Sequence, residues 1–292
     1  MIYEHPLAYA LGLEGVALLR GFTGDFDRDF VEARLAEVRE LLANDSLTGQ
    51  EVDRVDTVAG YEVWSTTYDE PRNGLFDFEE PVVHEMLAAL PVGVAVDAAC
   101  GTGRYAEHLT GLGHRVVGVD SSPDMLAHAR ARVPSADFQP GDLHELPLAD
   151  DSADVVVCAL ALAHVPDLTV PFTEFARILK PGGHLVVSDA HHESVTLGSI
   201  PSVRTPDGRP ARVSTYRHRT GDYLRAALPL GLDLRRCEEP RLPAAPPRPA
   251  STDPGPWELW PWSLAGLVPE AARAAHADRP VTVVWHFQLA ER

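Results

Sequence analysis

Val94-Ala-Val-Asp97-Ala-Ala-Cys100-Gly101-Thr-Gly103-Arg104 is an apolar run that ends in an acid and passes into a Gly-x-Gly turn. Val116-Val-Gly-Val-Asp120 follows as a second apolar run ending in a second acid. The order reads strand, glycine turn, helix, strand, acid. It is the front half of a nucleotide-type α/β unit, in which the turn lets backbone approach a ligand and the second acid accepts ribose hydroxyls.

Outward from this unit, strands are predicted near 92–97, 115–120, 136–139, 153–159 and 183–189. Helices are predicted near 103–112, 122–132 and 170–180, with Pro181-Gly182-Gly183 ending the last and turning into the fifth strand. A helix near 220–229 and strands near 232–238 and 281–289 complete the pattern. Such alternation builds a parallel sheet covered on both faces. Trp285 and His286, adjacent in the final strand, point to opposite faces. Upstream, residues 6–20 and 25–43 have helical periodicity, the second with Asp25 as its cap and Phe26 and Phe30 on one face. A helix from about 80 to 90 leads into the first strand. The chain therefore divides into an N-terminal helical cap, 1–79, and an α/β domain, 80–292. Insertions interrupt the latter near 191–218 and 239–280, the second opening on a Pro-rich run that cannot form regular structure. Trp257, Trp260 and Trp262 follow that run and either anchor a helix on the core or wall a pocket.

The 292 residues, 45% hydrophobic and 23% charged, can bury a sizeable core. A net charge of -18 opposes nucleic-acid binding through a broad basic surface. Met1-Ile-Tyr-Glu-His-Pro6 has no basic segment followed by an apolar one, so no secretory signal is expected, and no apolar run is long enough for a membrane span. Cys100, Cys158 and Cys237 lack metal-type spacing and are read as buried, reduced thiols of a cytoplasmic protein.

Gly101-Thr-Gly103-Arg-Tyr-Ala106 satisfies the dinucleotide fingerprint if its last position admits Ala, and Asp120 lies 19 residues beyond Gly101. An NAD(P)-dependent oxidoreductase therefore stands as an alternative. Three features point elsewhere. Asp97, just before the turn, suits a ligand with an ammonium group and would repel a pyrophosphate. Asp142, in Gly141-Asp142-Leu143-His-Glu-Leu-Pro147, can accept a hydrogen bond from an adenine amino group. Leu179-Lys-Pro-Gly-Gly183 precedes the fifth strand. Over about 92–189, and more weakly over Trp64-Ser-Thr-Thr-Tyr68-Asp69, the chain resembles the class I S-adenosylmethionine (SAM)-dependent methyltransferases, most closely the "type 11" subgroup that includes quinone-biosynthesis enzymes.

The resemblance implies a Rossmann-like, mostly parallel seven-stranded sheet with its last strand antiparallel and helices on both faces. It implies that Asp97, Cys100, Gly101 and Gly103 line the methionine end of the cofactor. Asp120 would hold both ribose hydroxyls, with Ser121 and Met125 beside the adenosine, and Gly141, Asp142 and Leu143 at the adenine. Ala159 and Leu160 would pass below the sulfonium, and Trp64 and Tyr68 would close over it, so that the segment before residue 80 serves as a cofactor lid. Ala98 and Ala99 are a mild departure from the common pattern. A cyclase or sensor that binds SAM without methylating shares every one of these motifs.

Methyl transfer is a displacement in which positioning and exclusion of water supply most of the acceleration. His164, after the fourth strand and at the ligand-binding end of the sheet, is the candidate catalytic residue, able to orient the acceptor or take its proton. That favours a nitrogen or oxygen acceptor over carbon. Asp189, His191 and His192 after the fifth strand, and Tyr216 and Tyr223 beyond it, are candidate contacts to a small-molecule acceptor. No metal is expected, since adjacent His191 and His192 cannot readily chelate one ion with Asp189. The apolar faces of the two N-terminal helices would serve either to cover the site or to pair two copies of the chain.

Overall fold

The computed structural model describes residues 1–65, 68–69, 74–205, 207–241 and 261–291. Trp257 and Trp260 lie outside the described residues. The chain forms two compact units, one of residues 1–55, 193–213 and 241–279, the other of 56–192, 214–240 and 280–292.

The second unit contains, in chain order, α1 (Thr57–Trp64), α2 (Phe76–Ala88), β1 (Val94–Ala98), α3 (Arg104–Gly111), β2 (Arg115–Asp120), α4 (Pro123–Arg132), β3 (Asp137–Pro140), β4 (Ala153–Ala159), α5 (Thr169–Ile178), β5 (Leu179–Ala190), α6 (Thr220–Ala227), β6 (Leu232–Glu238) and β7 (Thr282–Leu289). Its strands form one sheet in the order β6-β7-β5-β4-β1-β2-β3. The five strands from β1 to β5 pair in parallel, and β7 runs antiparallel to both of its neighbours. This is the expected α/β sheet with its last strand reversed.

Period-two alternation sends side chains to the two faces. Val156, Cys158, Leu185, Val187, Trp285 and Phe287 pack on one side with Phe172 and Phe175 of α5 and Tyr223 of α6. Val155, Val157, Val186 and Val284 pack on the other with Val83 and Leu87 of α2 and Leu109 of α3. Trp285 is buried and His286 half-buried, as the alternation requires. Gly118 in β2 is required by packing, because a Cβ there would stand 2.4 Å from the ring of Phe138 in β3.

Several boundaries differ from expectation. Lys180–Gly183 does not precede the fifth strand but lies within it. Pairing with β4 passes from Ala153↔Leu179 to Val155↔His184, so the Pro-Gly-Gly segment is a bulge in a longer strand. Cys100 and Cys158 are buried, but Cys237 is exposed, because β6 is an edge strand.

The first unit is more than a pair of helices. Strands Ile2–Glu4, Gln50–Val55, Pro210–Val213 and Ser202–Arg204 form a four-stranded sheet in that order. The helix Arg28–Leu42 is capped by Asp27 rather than Asp25, its carboxylate accepting the Phe30 amide at 3.0 Å. Phe26 and Phe30 stack at 4.0 Å, as their spacing suggested. Ala10, Leu13 and Ala17 of the helix Pro6–Phe22 pack on Ala271, Ala272 and Ala275 of the helix Pro269–His276. Part of the apolar face that the sequence left open is thus covered from within the chain. Both insertions contribute here, one supplying strands beside Gln50–Val55 and the other a helix beside Pro6–Phe22. The division into units therefore differs from a cut at residue 79, and 56–79 groups with the larger sheet.

Phe172 is wholly buried, with Phe175, Tyr223 and Phe287 rings at 5.8, 6.4 and 6.0 Å. Phe172→Ala leaves a cavity under the sheet and is expected to destabilise the protein by about 3–5 kcal/mol. Urea denaturation followed by circular dichroism measures it, and a loss below about 1 kcal/mol would mean that the core collapses around the gap.

Candidate functional site

The strand order reverses at β1 and β4, where an open α/β sheet leaves a crevice at its carboxyl end. A cavity of about 310 Å³ lies there, and a smaller one adjoins it, sharing Tyr68, Ala99, Gly101 and Ala159.

The floor is built by acids at strand ends. Asp97, at the end of β1, is 1% exposed and accepts the Ala106 amide of α3 at 2.9 Å, bridging the glycine turn. Burial pushes its carboxyl up to about 7, against the pull of the Arg104 guanidinium. Asp120, at the end of β2, accepts the Gly101 amide through Oδ2 and the Ser122 amide through Oδ1, each at 2.8 Å. Burial raises its carboxyl too, and these amides oppose the shift. Between them Gly101 and Gly103 have φ of 53° and 83°. A Cβ on Gly101 would project into open space on the cavity side, whereas one on Gly103 would stand 3.1 Å from Ala129 of α4. The first glycine keeps a cradle clear and the second permits close packing of turn and helix.

Gly101, Asp120, Ser121, Gly141, Asp142, Leu143, Ala159, Leu160, His164 and Tyr68 line the larger cavity. Asp97 and Cys100 line the smaller one. Gly103 and Met125 stand behind these walls. Met125 is buried, its amide capped by Ser122 at 3.3 Å, and Trp64 is buried edge-on against Tyr61, with ring centroids 5.2 Å apart.

His164 ends a short 3-10 turn, Leu162–His164, after β4. Its Nδ1 lies 2.8 Å from the Ser214 carbonyl and its Nε2 3.1 Å from the Tyr61 hydroxyl. A carbonyl only accepts, so Nδ1 carries the proton and Nε2 accepts from Tyr61. Burial lowers the imidazole's pKa, the Ser214 carbonyl opposing, so the ring is neutral at physiological pH.

None of the five candidate acceptor contacts lines either cavity. Asp189 is buried, accepting the Tyr223 hydroxyl and the Ala190 amide at 2.8 Å each. Tyr223 is buried in the core, and His191 faces Glu239 at 3.3 Å and the His192 ring at 4.3 Å. Tyr216 donates its amide to Ala163 at 2.7 Å, supporting the turn that bears His164.

Three groups escaped the sequence. Tyr61 is set by α1, whose cap Asp56 accepts the Ala59 amide at 2.8 Å. The pairing of Tyr61 with His164 spans 103 residues, so no local spacing in the sequence records it. Glu79 of α2 is fully buried and accepts from the hydroxyls of Tyr105 and Ser188, at 2.6 Å each, and from Arg104 at 3.1 Å. Asp69 accepts from Thr102 of the glycine turn at 2.9 Å and from Arg132 at 2.5 Å, which fixes the position of neighbouring Tyr68.

The larger cavity is lined by Asp56, Asp120 and Asp142, and by no Lys or Arg among the described residues. It suits a cationic nucleoside and opposes a pyrophosphate. The Gly101 amide, which a dinucleotide site would offer to phosphate, is already committed to Asp120. Both points go against the NAD(P) alternative. Among the described residues no group of three His, Cys, Asp or Glu is arranged to hold a metal, and no helix is long and apolar enough to cross a membrane.

Residues 96–187 match the family model described as a methyltransferase domain. A malonyl-[acyl-carrier protein] O-methyltransferase of Yersinia pestis is 38% identical over 95 residues, 32% of this chain and 36% of that one. A demethylmenaquinone methyltransferase of Renibacterium salmoninarum is 36% identical over 124 residues, 42% of this chain and 52% of that one. The matched part thus spans about a third to a half of these curated relatives. A SAM-dependent methyltransferase from Mesorhizobium loti, of known structure, is 26% identical and covers 72% of this chain and 97% of its own, with a TM-score of 0.51. The structure of a DhpI–SAH complex, 21% identical with a TM-score of 0.56, covers 80% of this chain and 96% of its own and shares the fold. Residues 96–187, which carry the glycine turn and most of the parallel strands, form a methyltransferase domain, on a sheet that has the fold of the SAM-dependent methyltransferases.

Glu79→Ala would strip Arg104, Tyr105 and Ser188 of their shared acceptor, and a loss of about 3–5 kcal/mol is expected. Glu79→Gln, which keeps an acceptor oxygen, is expected to lose less. Thermal and urea unfolding of the two variants checks the order, and equal losses would remove the charge from the argument.

Proposed function

We propose that this protein transfers the methyl group of SAM to a nitrogen or oxygen atom of a small-molecule acceptor, with carbon the less favoured target. The observation that carries the reading is a cavity lined both by the strand-end acid Asp120 and by an imidazole whose Nε2 is an acceptor, with the buried Asp97 in the smaller cavity that adjoins it.

The residues fit the cofactor. Asp97 would receive its ammonium beside Cys100, Gly101 and Gly103, and Asp120 would accept its ribose hydroxyls beside Ser121. Gly141, Asp142 and Leu143 would receive the adenine, with Met125 supporting that wall from behind. Ala159 and Leu160 would pass below the sulfonium, and Tyr68, backed by Trp64, would cover it. Bound SAM supplies a sulfonium-activated methyl group that leaves its sulfur on in-line attack. The chain contributes position, a dry aromatic enclosure and His164, whose neutral imidazole can take the proton an oxygen or nitrogen nucleophile must lose. Asp189, His191, His192, Tyr216 and Tyr223 would act on the acceptor only through the turn and strand end that they support. We place the protein in the cytoplasm, where the three thiols stay reduced.

Calorimetry with SAM, S-adenosylhomocysteine (SAH), NADH and NADPH tests the reading. Binding of the first pair alone is expected, and binding of the nicotinamide pair instead would overturn it. Asp120→Ala is expected to weaken SAH binding about tenfold or more, since charged hydrogen bonds contribute about 1.5–3 kcal/mol. Unchanged affinity would remove Asp120 from the ribose.

Binding should also depend on pH. The buried Asp97 carboxyl, raised to about 7, is protonated below that value and ionised above it. An ammonium partner favours the ionised form, so affinity is expected to rise between about pH 6 and pH 8 with release of a proton. Titrations in buffers of different ionisation enthalpy measure that proton, and a flat profile would take Asp97 away from the ammonium.

A further inference from the structure

The proton arrangement around His164 says more about the acceptor than the presence of a histidine alone. Nδ1 is committed to the Ser214 carbonyl, so Nε2 is the ring's one basic site, and Tyr61 donates to it. The Tyr68 ring stands 5.7 Å from that of Tyr61. A hydroxyl that donates its proton can still accept, so the Tyr61 oxygen can take a hydrogen bond in turn. Tyr61 and His164 both line the cavity that holds Gly101 and Asp120. A donor placed in this cavity can reach the base through Tyr61.

Its lining narrows the donor. Val58, Leu160 and Val165, with the Tyr61 and Tyr68 rings, give apolar and aromatic walls. The charged lining residues among those described are acids, so a carboxylate or phosphate acceptor would meet repulsion and no cation. An alkyl amine would be held by these acids as its ammonium, with the nucleophilic lone pair blocked. An aliphatic hydroxyl is too weak a nucleophile for a base whose proton affinity burial has lowered. A phenol is neutral and flat, and its proton becomes strongly acidic as the oxygen–carbon bond forms.

We propose that Tyr61 is a catalytic residue that passes the proton of an uncharged aromatic hydroxyl acceptor to Nε2 of His164. This rests on the SAM reading above. The phenol oxygen bonds to the methyl carbon as the carbon–sulfur bond breaks, its electron pair remaining on sulfur. The phenol proton moves to Tyr61 Oη while the Tyr61 proton moves to Nε2. The products are an aryl methyl ether, SAH and an imidazolium that the Ser214 carbonyl stabilises until it passes its proton to water.

The test begins with calorimetry of phenol, benzylamine and benzoate on the SAH-saturated protein. Phenol is expected to bind and benzoate to fail. Tyr61→Phe is expected to weaken phenol binding severalfold while leaving SAH affinity within about twofold, since it removes one neutral hydrogen bond. Turnover of simple phenols with SAM is then followed against pH. Tyr61→Phe is expected to lower kcat about 100-fold or more, in the range of general-base contributions, with little change in KM for SAM. The wild-type rate is expected to fall on the acid side as the imidazole protonates, and His164→Gln to abolish that limb. Four results would overturn the proposal: benzoate binding as tightly as phenol, amines or carboxylates methylated in place of phenols, an SAH-binding protein that methylates no phenol, or Tyr61→Phe with wild-type kcat. Failure of the wild-type protein to bind SAH would sink the cofactor reading instead, so the two are separable.

Discussion

One carboxylate holds the geometry of the cavity together. Asp120 ends β2, yet its two oxygens take the amide of Gly101, which follows β1, and the amide of Ser122, which opens α4. Three segments are thereby locked at the point where the strand order reverses. A glycine turn left alone is conformationally loose. Tied to a buried acid it becomes a fixed rim, with its open side toward the cavity. The Cys100 amide donates to the Val119 carbonyl at 2.9 Å, which fastens the same turn to β2 a second time.

Burying acids in this way works against stability, and the structure offsets each one differently. Asp97 lies near Arg104 and accepts one amide. Glu79 is surrounded by three donors, of which only Arg104 is charged. Asp189 is held by the Tyr223 hydroxyl and the Ala190 amide. A buried ion that is fully hydrogen-bonded adds little net stability but makes each partner costly to remove. Polar groups so arranged specify position, and position is what a displacement reaction demands of its protein.

The sequence made the sheet legible because most of its strands carry a short apolar run closed by turn residues, and because local periodicity suffices to identify such runs. The acids at 97, 120 and 142 were legible for the same reason, since a strand end fixes where the next residue points. Tyr61 and Glu79 were not, because their partners lie 103 and 25 or more residues away and no local pattern records the pairing. The strands Ser202–Arg204 and Pro210–Val213 were hidden by brevity and by a Gly- and Pro-rich context. Gln50–Val55, which pairs with Pro210–Val213, is dominated by charged and polar residues, and only its Val52 is deeply buried. Asp189 and the histidines after it line neither cavity, for a reason that the sequence does not record. They sit at a carboxyl strand end, where ligands bind, but hydrogen bonds to Tyr223 and Glu239 turn the side chains to other partners.

Strain marks the same place. Ala99 and Leu160 have φ of 61° and 54°, a region that side-chain-bearing residues avoid at a cost of about 1–2 kcal/mol. They follow β1 and β4, the two strands at which the order reverses, and both line the cavity. Each is held by a neighbouring bond: Cys100, next to Ala99, is tied to Val119, and the Leu160 amide donates to the Ser188 carbonyl at 2.9 Å. A strand leaving a sheet in ordinary geometry would continue outward over its neighbour. The left-handed residue turns it sharply aside, which keeps the crevice between β1 and β4 open and sets His164 four residues beyond Leu160 on its rim. The backbone strain, the buried acids and the glycine turn are thus parts of one arrangement, in which an opening at the reversal of the sheet is kept clear by bonds made behind its walls.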